Sequence, residues 1–230
     1  LCKRSRGGCS KDNHHCPKFG IAQVNQNLKC AKDMKKTIFK RQLTIYMRPK
    51  TSQMLTLGVL AELALFLVCY FTQANIEEVF RHAARYSGRL SFVVFLTTFA
   101  LYTFYQPLSL VQQRKTRLWL LLFAVLHIIH FGFLATNIML NHIPIVPVKL
   151  TGGALAYLMI VAAPFVLHRA KKWAQLVYFY YVSIVVCVTY LARAKGDFEG
   201  AEPFWFHFAA LGIMLAAMVF FGFKIWRAKA

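Results

Sequence analysis

The sequence predicts an all-α fold, a polytopic membrane bundle of six transmembrane helices with both ends in the cytoplasm. Three observations lead there. Of 230 residues, 58% are hydrophobic and only 16% charged, a composition unlike that of a water-soluble domain. Six apolar runs of about 20 residues, each enough to cross a hydrocarbon core of about 30 Å, are separated by short polar breaks. The basic residues collect at alternate breaks.

The runs are 54–73, 88–110, 118–140, 148–168, 173–192 and 204–226. Their length and lack of strict alternation favour helices over barrel strands. Arg114, Lys115 and Arg117, then Arg169, Lys171 and Lys172, then Lys224, Arg227 and Lys229 fall on one side, together with the basic N-terminal stretch. That side is the predicted cytoplasm. Opposite lie Arg81, Arg85 and Arg89 with Glu77 and Glu78, Lys149, and Arg193 and Lys195 followed by Asp197, Glu199 and Glu202. In a soluble protein the net charge of +20 would suggest nucleic acid; here orientation explains it and no nucleic-acid partner is expected.

Residues 1–53 carry thirteen of the 28 Lys and Arg, with no sustained apolar period, and are read as a disordered basic tail before a membrane domain at 54–230. Cys2, Cys9, Cys16 and Cys30 lie here, with His14 and His15 before Cys16. Tight zinc sites bring ligands in pairs two to four residues apart, and no Cys pair has that spacing, so contact with anionic headgroups is the preferred reading. A second reading is that the stretch is not translated, since the chain begins with Leu1 and Met54 stands at the first run. No secretory signal is recognised, and the first run is expected to be retained. Cys69 and Cys187, inside runs, read as small core hydrophobes.

Ionisable side chains at mid-membrane are costly and therefore informative. Glu62 stands in the middle of the first run, His127 and His130 in the middle of the third, and His207 near the outer end of the sixth. Glu62 suits a proton path or a pairing with His or Arg on a facing helix. His127 and His130, three residues apart, share a helix face that Phe123, Phe131 and Leu134 extend. Such a face could offer imidazole to the iron of a flat apolar cofactor, or hydrogen-bond to neighbouring helices. His207 follows Phe204, Trp205 and Phe206, an interfacial aromatic group, and His168 belongs with the basic cluster. Tyr178, Phe179, Tyr180 and Tyr181 cover every face of the fifth helix and so read as packing. Gly152 and Gly153 are expected to permit close helix approach, and Pro164 to kink the fourth helix. No phosphate-cradling loop, dinucleotide fingerprint or Ser/His/Asp grouping is present.

Four stretches, in order, carry a family resemblance: GRLSFVVFLTTFALYTFYQPL, RLWLLLFAVLHIIHF, TGGALAYLMIVAAPF and KKWAQLVYFYYV. Over about residues 88–195 the chain resembles the ferric reductase-like transmembrane domain, in particular MsrQ-like haem-binding membrane subunits. The resemblance implies a bacterial inner (plasma) membrane, haem b as cofactor and transmembrane electron transfer. It also implies a soluble redox partner on either face; a quinone could serve as donor, and FMN or FAD would belong to a partner. His127 matches the family's third-span ligand. The fifth span departs from the pattern, with Val177 where the first histidine would stand and the outer one falling near Tyr190. The remaining candidate ligands are His130 paired with His207, His168, and Tyr190 as a phenolate. Arg89 could neutralise a haem propionate or a quinone oxygen, or snorkel to the interface. If it is an enzyme, the chain is an oxidoreductase subunit. The alternative expectation is a haem-free scaffold or assembly partner that kept the helix bundle and lost the redox site.

Overall fold

The computed structural model describes residues 49–104, 110–144, 147–196 and 204–227; the basic stretch with Cys2, Cys9, Cys16, Cys30, His14 and His15 lies outside them, as do Asp197, Glu199 and Glu202. The described elements are α1 (Pro49–Thr72), α2 (Ile76–Phe104), α3 (Leu110–Leu140), α4 (Pro147–Val166), a 3-10 turn (Leu167–Arg169), α5 (Lys172–Lys195) and α6 (Trp205–Arg227). All six α-helices are long and apolar enough to cross a membrane.

Two helices outrun the apolar lengths that announce them. α2 starts at Ile76 and α3 at Leu110, whereas the hydrophobic runs start at 88 and 118. Hydropathy marks the length that lipid can cover, while the polar extensions are held by helix propensity and local packing. In α2 the extension buries Val79 and Ala83 with Cys69 of α1. Glu77 and Glu78 sit in its first turn, where the helix dipole favours acids. Arg81 pairs with Glu78 and donates to Asn141 Oδ1, while Asn141 Nδ2 donates to the Glu77 carbonyl, tying the start of α2 to the end of α3.

The most extensive helix contact is between α2 and α3. α1 packs on both, α4 on α3 and α5, and α6 on α5 with a smaller contact to α2. The central core is aromatic: Phe95 lies 5.1 Å from Phe123, Phe99 5.3 Å from Phe179 and 5.0 Å from Phe221, and Tyr102 4.3 Å from Phe179. Close helix approach occurs at Gly58 and Gly88. A Cβ at Gly58 would meet Leu122 Cδ1 at 2.5 Å, and one at Gly88 would meet His130 Cε1 at 2.9 Å. Gly152 and Gly153 do not play this part; a Cβ at Gly153 would meet nothing within 4 Å, and at Gly152 only the Tyr181 hydroxyl at 4.0 Å.

At the end of the bundle carrying Arg114, Arg117, Arg169 and Lys172, hereafter the basic end, polar side chains bind exposed carbonyls. Pro164 lies in the last turn of α4 and its carbonyl accepts from Arg117 Nε at 3.0 Å. Gln175 Nε2 donates to the carbonyls of Leu167 and Ala170, and Gln175 Oε1 accepts from the Tyr102 hydroxyl at 2.7 Å. Lys224 of α6 donates to the carbonyls of Thr103 and Phe104, the last residues of α2. At the far end Gly196, at φ 78°, stops α5 in the left-handed conformation, its N–H bonding to the carbonyls of Ala192 and Arg193.

Candidate functional site

α1 packs on both α2 and α3, with Gly58 against Leu122 and Leu126 and Phe66 stacked on Phe133 at 5.5 Å and 5.6 Å from Phe80. Glu62 lies one turn from each of those contacts on the same face of α1. It is therefore held inside the three-helix junction, only 1% exposed, and neither carboxyl oxygen has a hydrogen-bond partner. The Ser87 hydroxyl of α2 stands beside that carboxyl without reaching hydrogen-bond geometry, and it too is buried and unpartnered.

The next residue, Gly88, receives the His130 ring. With no Cβ in the way, the imidazole lies on the α2 backbone beside the Ala84 carbonyl, and its Nδ1 is buried without a partner. One turn earlier on α3, His127 Nδ1 and Ser91 Oγ are 2.9 Å apart, in a hydrogen bond whose donor is set by the imidazole tautomer. The two imidazoles are 5.5 Å apart, and Tyr157 of α4 covers His127, also at 5.5 Å. Ser87 and Ser91, four residues apart, thus present one polar strip to Glu62 and to both histidines. Orphaned polar atoms buried in one layer are unusual and mark residues whose choice packing does not explain.

His207 has other surroundings. It is buried at the start of α6, its ring 6.1 Å from Tyr190 and 6.5 Å from Phe204, with Nδ1 unpartnered. Tyr190 packs edge-on against Phe92 at 5.2 Å. The Arg89 guanidinium stacks over Phe206 at 4.8 Å and over Tyr86 and Phe204 at 5.3 Å each. His168, distant from all of these, lines a cleft of about 200 Å³ at the basic end with Arg117, Lys172 and Gln175. Val177, on α5, is half exposed on the outside of the bundle.

Sequence reading found His127, His130 and Glu62 because ionisable residues stand out within apolar runs. It missed Ser87, Ser91 and the role of Gly88. The signal was available in the small residues Ala84, Ser87, Gly88 and Ser91, which recur at three- and four-residue spacing on one side of α2. It also left Arg193 without a role.

Fold and site together define a six-helix membrane bundle with a buried acid, hydroxyl and imidazole layer at the α1–α2–α3 junction. No family model, curated protein or solved structure matches the chain. Among the described residues no group of three His, Cys, Asp or Glu side chains gathers as a metal site would require.

Proposed function

We propose that the chain is a multi-pass protein of a bacterial plasma membrane that keeps a ferric reductase-like helix arrangement without its haem, and acts as a scaffold or assembly partner for other membrane proteins. The observation that carries this reading is the filling of the bundle interior. Phe95, Phe99, Phe123, Phe179 and Phe221, each 2% exposed or less, interlock between α2, α3, α5 and α6, where a haem shared by the third and fifth helices would need a slot. The donor set agrees only in part with a haem iron. His127 is suitable, because a hydrogen bond at Nδ1 is the usual support for an imidazole that ligates through its other nitrogen. His130 is less suitable, since its ring lies against Gly88 of α2, with Cε1 and both nitrogens within 3.5 Å of where a Cβ would stand.

That Ser91–His127 bond favours a second reading, transmembrane electron transfer through haem b held from α3, with Arg89 toward a propionate or quinone oxygen. An absorption spectrum of the detergent-solubilised protein, expressed with ample haem and recorded oxidised and dithionite-reduced, separates the two. The scaffold reading expects no Soret band. A Soret band that shifts on reduction and vanishes in His127→Ala would establish the electron-transfer reading instead.

A further inference from the structure

Arginines at the far end of the bundle run against the charge asymmetry of the chain, and the structure draws three of them together. Arg85 and Arg89 are four residues apart on α2 and so share a face. Arg193 lies on the last turns of α5, three residues beyond Tyr190. Tyr190 and Arg89 meet on the same ring, Phe206 of α6, at 6.1 Å and 4.8 Å. His207, the next residue, is buried at 6% exposure with Nδ1 unpartnered, and it lies within electrostatic reach of Arg193, Arg89 and Arg85. Glu78, an acid at the start of α2, is engaged by Arg81 and His82.

Depth bears on the ligand. α2 has 29 residues, of which about 20 suffice to cross the hydrocarbon core, and the polar extension leaves Arg85 and Arg89 near the level where that core ends. The aromatic start of α6 at Phe204, Trp205 and Phe206 is at the same end, as expected of side chains in the headgroup region. Guanidinium groups match phosphate geometry through two parallel N–H donors, and rings stacked on them hold the planes in place. A ring nitrogen buried without a partner at the base of such a group supplies a further donor.

We propose that Arg89 and Arg193, with Arg85 beside them and His207 at the base, form a binding site for a phosphate-bearing anion at the far membrane–water interface. The site rests on the haem-free reading, in which Arg89 is not committed to a propionate. Its phosphate could come from an anionic phospholipid headgroup or from a free phosphate, and the test distinguishes them. The full chain, solubilised in a mild non-ionic detergent, is titrated with phosphatidylglycerol, phosphatidylcholine, oleate and inorganic phosphate, with bound molecules counted by native mass spectrometry and the thermal midpoint followed in parallel. Phosphatidylglycerol is expected to bind about tenfold tighter than phosphatidylcholine and to raise the midpoint. Arg89→Gln/Arg193→Gln should abolish that preference, and Arg227→Gln, at the opposite end, should keep it. Arg89→Lys/Arg193→Lys, which preserves charge but not the planar fork, guards against misfolding and should bind at an intermediate level. Saturable binding of inorganic phosphate that competes with the lipid would assign the site to free phosphate. Equal binding of phosphatidylglycerol by the native protein and the Gln double variant would overturn the proposal, as would oleate binding as well as phosphatidylglycerol.

Discussion

At the scale of single residues, Gly88 is an exacting position in the junction. Its missing Cβ is what lets the His130 ring reach the α2 backbone, and an added methyl would stand 2.9 Å from Cε1. Gly88→Ala should therefore cost about 1–3 kcal/mol through overpacking. Removing the ring as well, in Gly88→Ala/His130→Ala, should recover part of that loss, because the clash and its source disappear together. Thermal unfolding of the four variants of this cycle in detergent reads the coupling directly, and strictly additive losses would refute the seating described here. The histidines were legible in the sequence because a charge-bearing ring in an apolar run is conspicuous. Ser87 and Ser91 were not, since a helical serine can satisfy its hydroxyl on its own backbone and leaves little trace in hydropathy. Nor could spacing alone choose between a ligand face and a packing face for His127 and His130; the choice depends on what the facing helix presents, here a glycine and a serine.

Among the elements, the turn between α4 and α5 depends on one side chain. Gln175 donates to the carbonyl of Ala170 and, beside the Ala170 N–H, to that of Leu167, and it accepts from Tyr102 of α2. Gln175→Ala should lower stability by about 1.5–4.5 kcal/mol, from three hydrogen bonds at roughly 0.5–1.5 kcal/mol each. Tyr102→Phe, which loses one of the three and keeps the ring on Phe179, should lose only about 1 kcal/mol. Denaturation midpoints of the two variants compare them, and equal losses would show that the ring and not the amide holds the turn. All six helices were legible because each is an apolar run of membrane length. Their ends were not: residues 76–87 of α2 are polar enough to pass for a loop, and only their packing on Cys69 and their link to Asn141 explain why they continue the helix.

Across the whole molecule, large apolar side chains point outward on every helix, among them Leu57, Phe104, Met139, Leu158, Val188 and Val219, as a lipid-facing surface requires. An even number of crossings places the start of α1 and the end of α6 on one side. The basic end is predicted to face the cytoplasm. A reporter enzyme active only in the cytoplasm should work when fused after residue 230, and a cysteine replacing the exposed His142, between α3 and α4, should react with a membrane-impermeant maleimide added to intact cells. Labelling only after lysis would reverse the orientation. The charge asymmetry is what predicts this orientation from the sequence, whereas the arginines of the far end looked like an inconsistency until Phe206 and Tyr190 brought Arg89 and Arg193 to one place.

The bond from Lys224 to the carbonyls of Thr103 and Phe104 also bears on how the bundle is made. The second helix to enter the bilayer ends in carbonyls whose partner is carried by the sixth, about 120 residues later in synthesis. Until α6 has been inserted, those two carbonyls lack the Lys224 ammonium as a partner. Closure of the bundle is thus coupled to completion of the sixth crossing. A chain halted before Lys224 would lack this tie between the ends of α2 and α6.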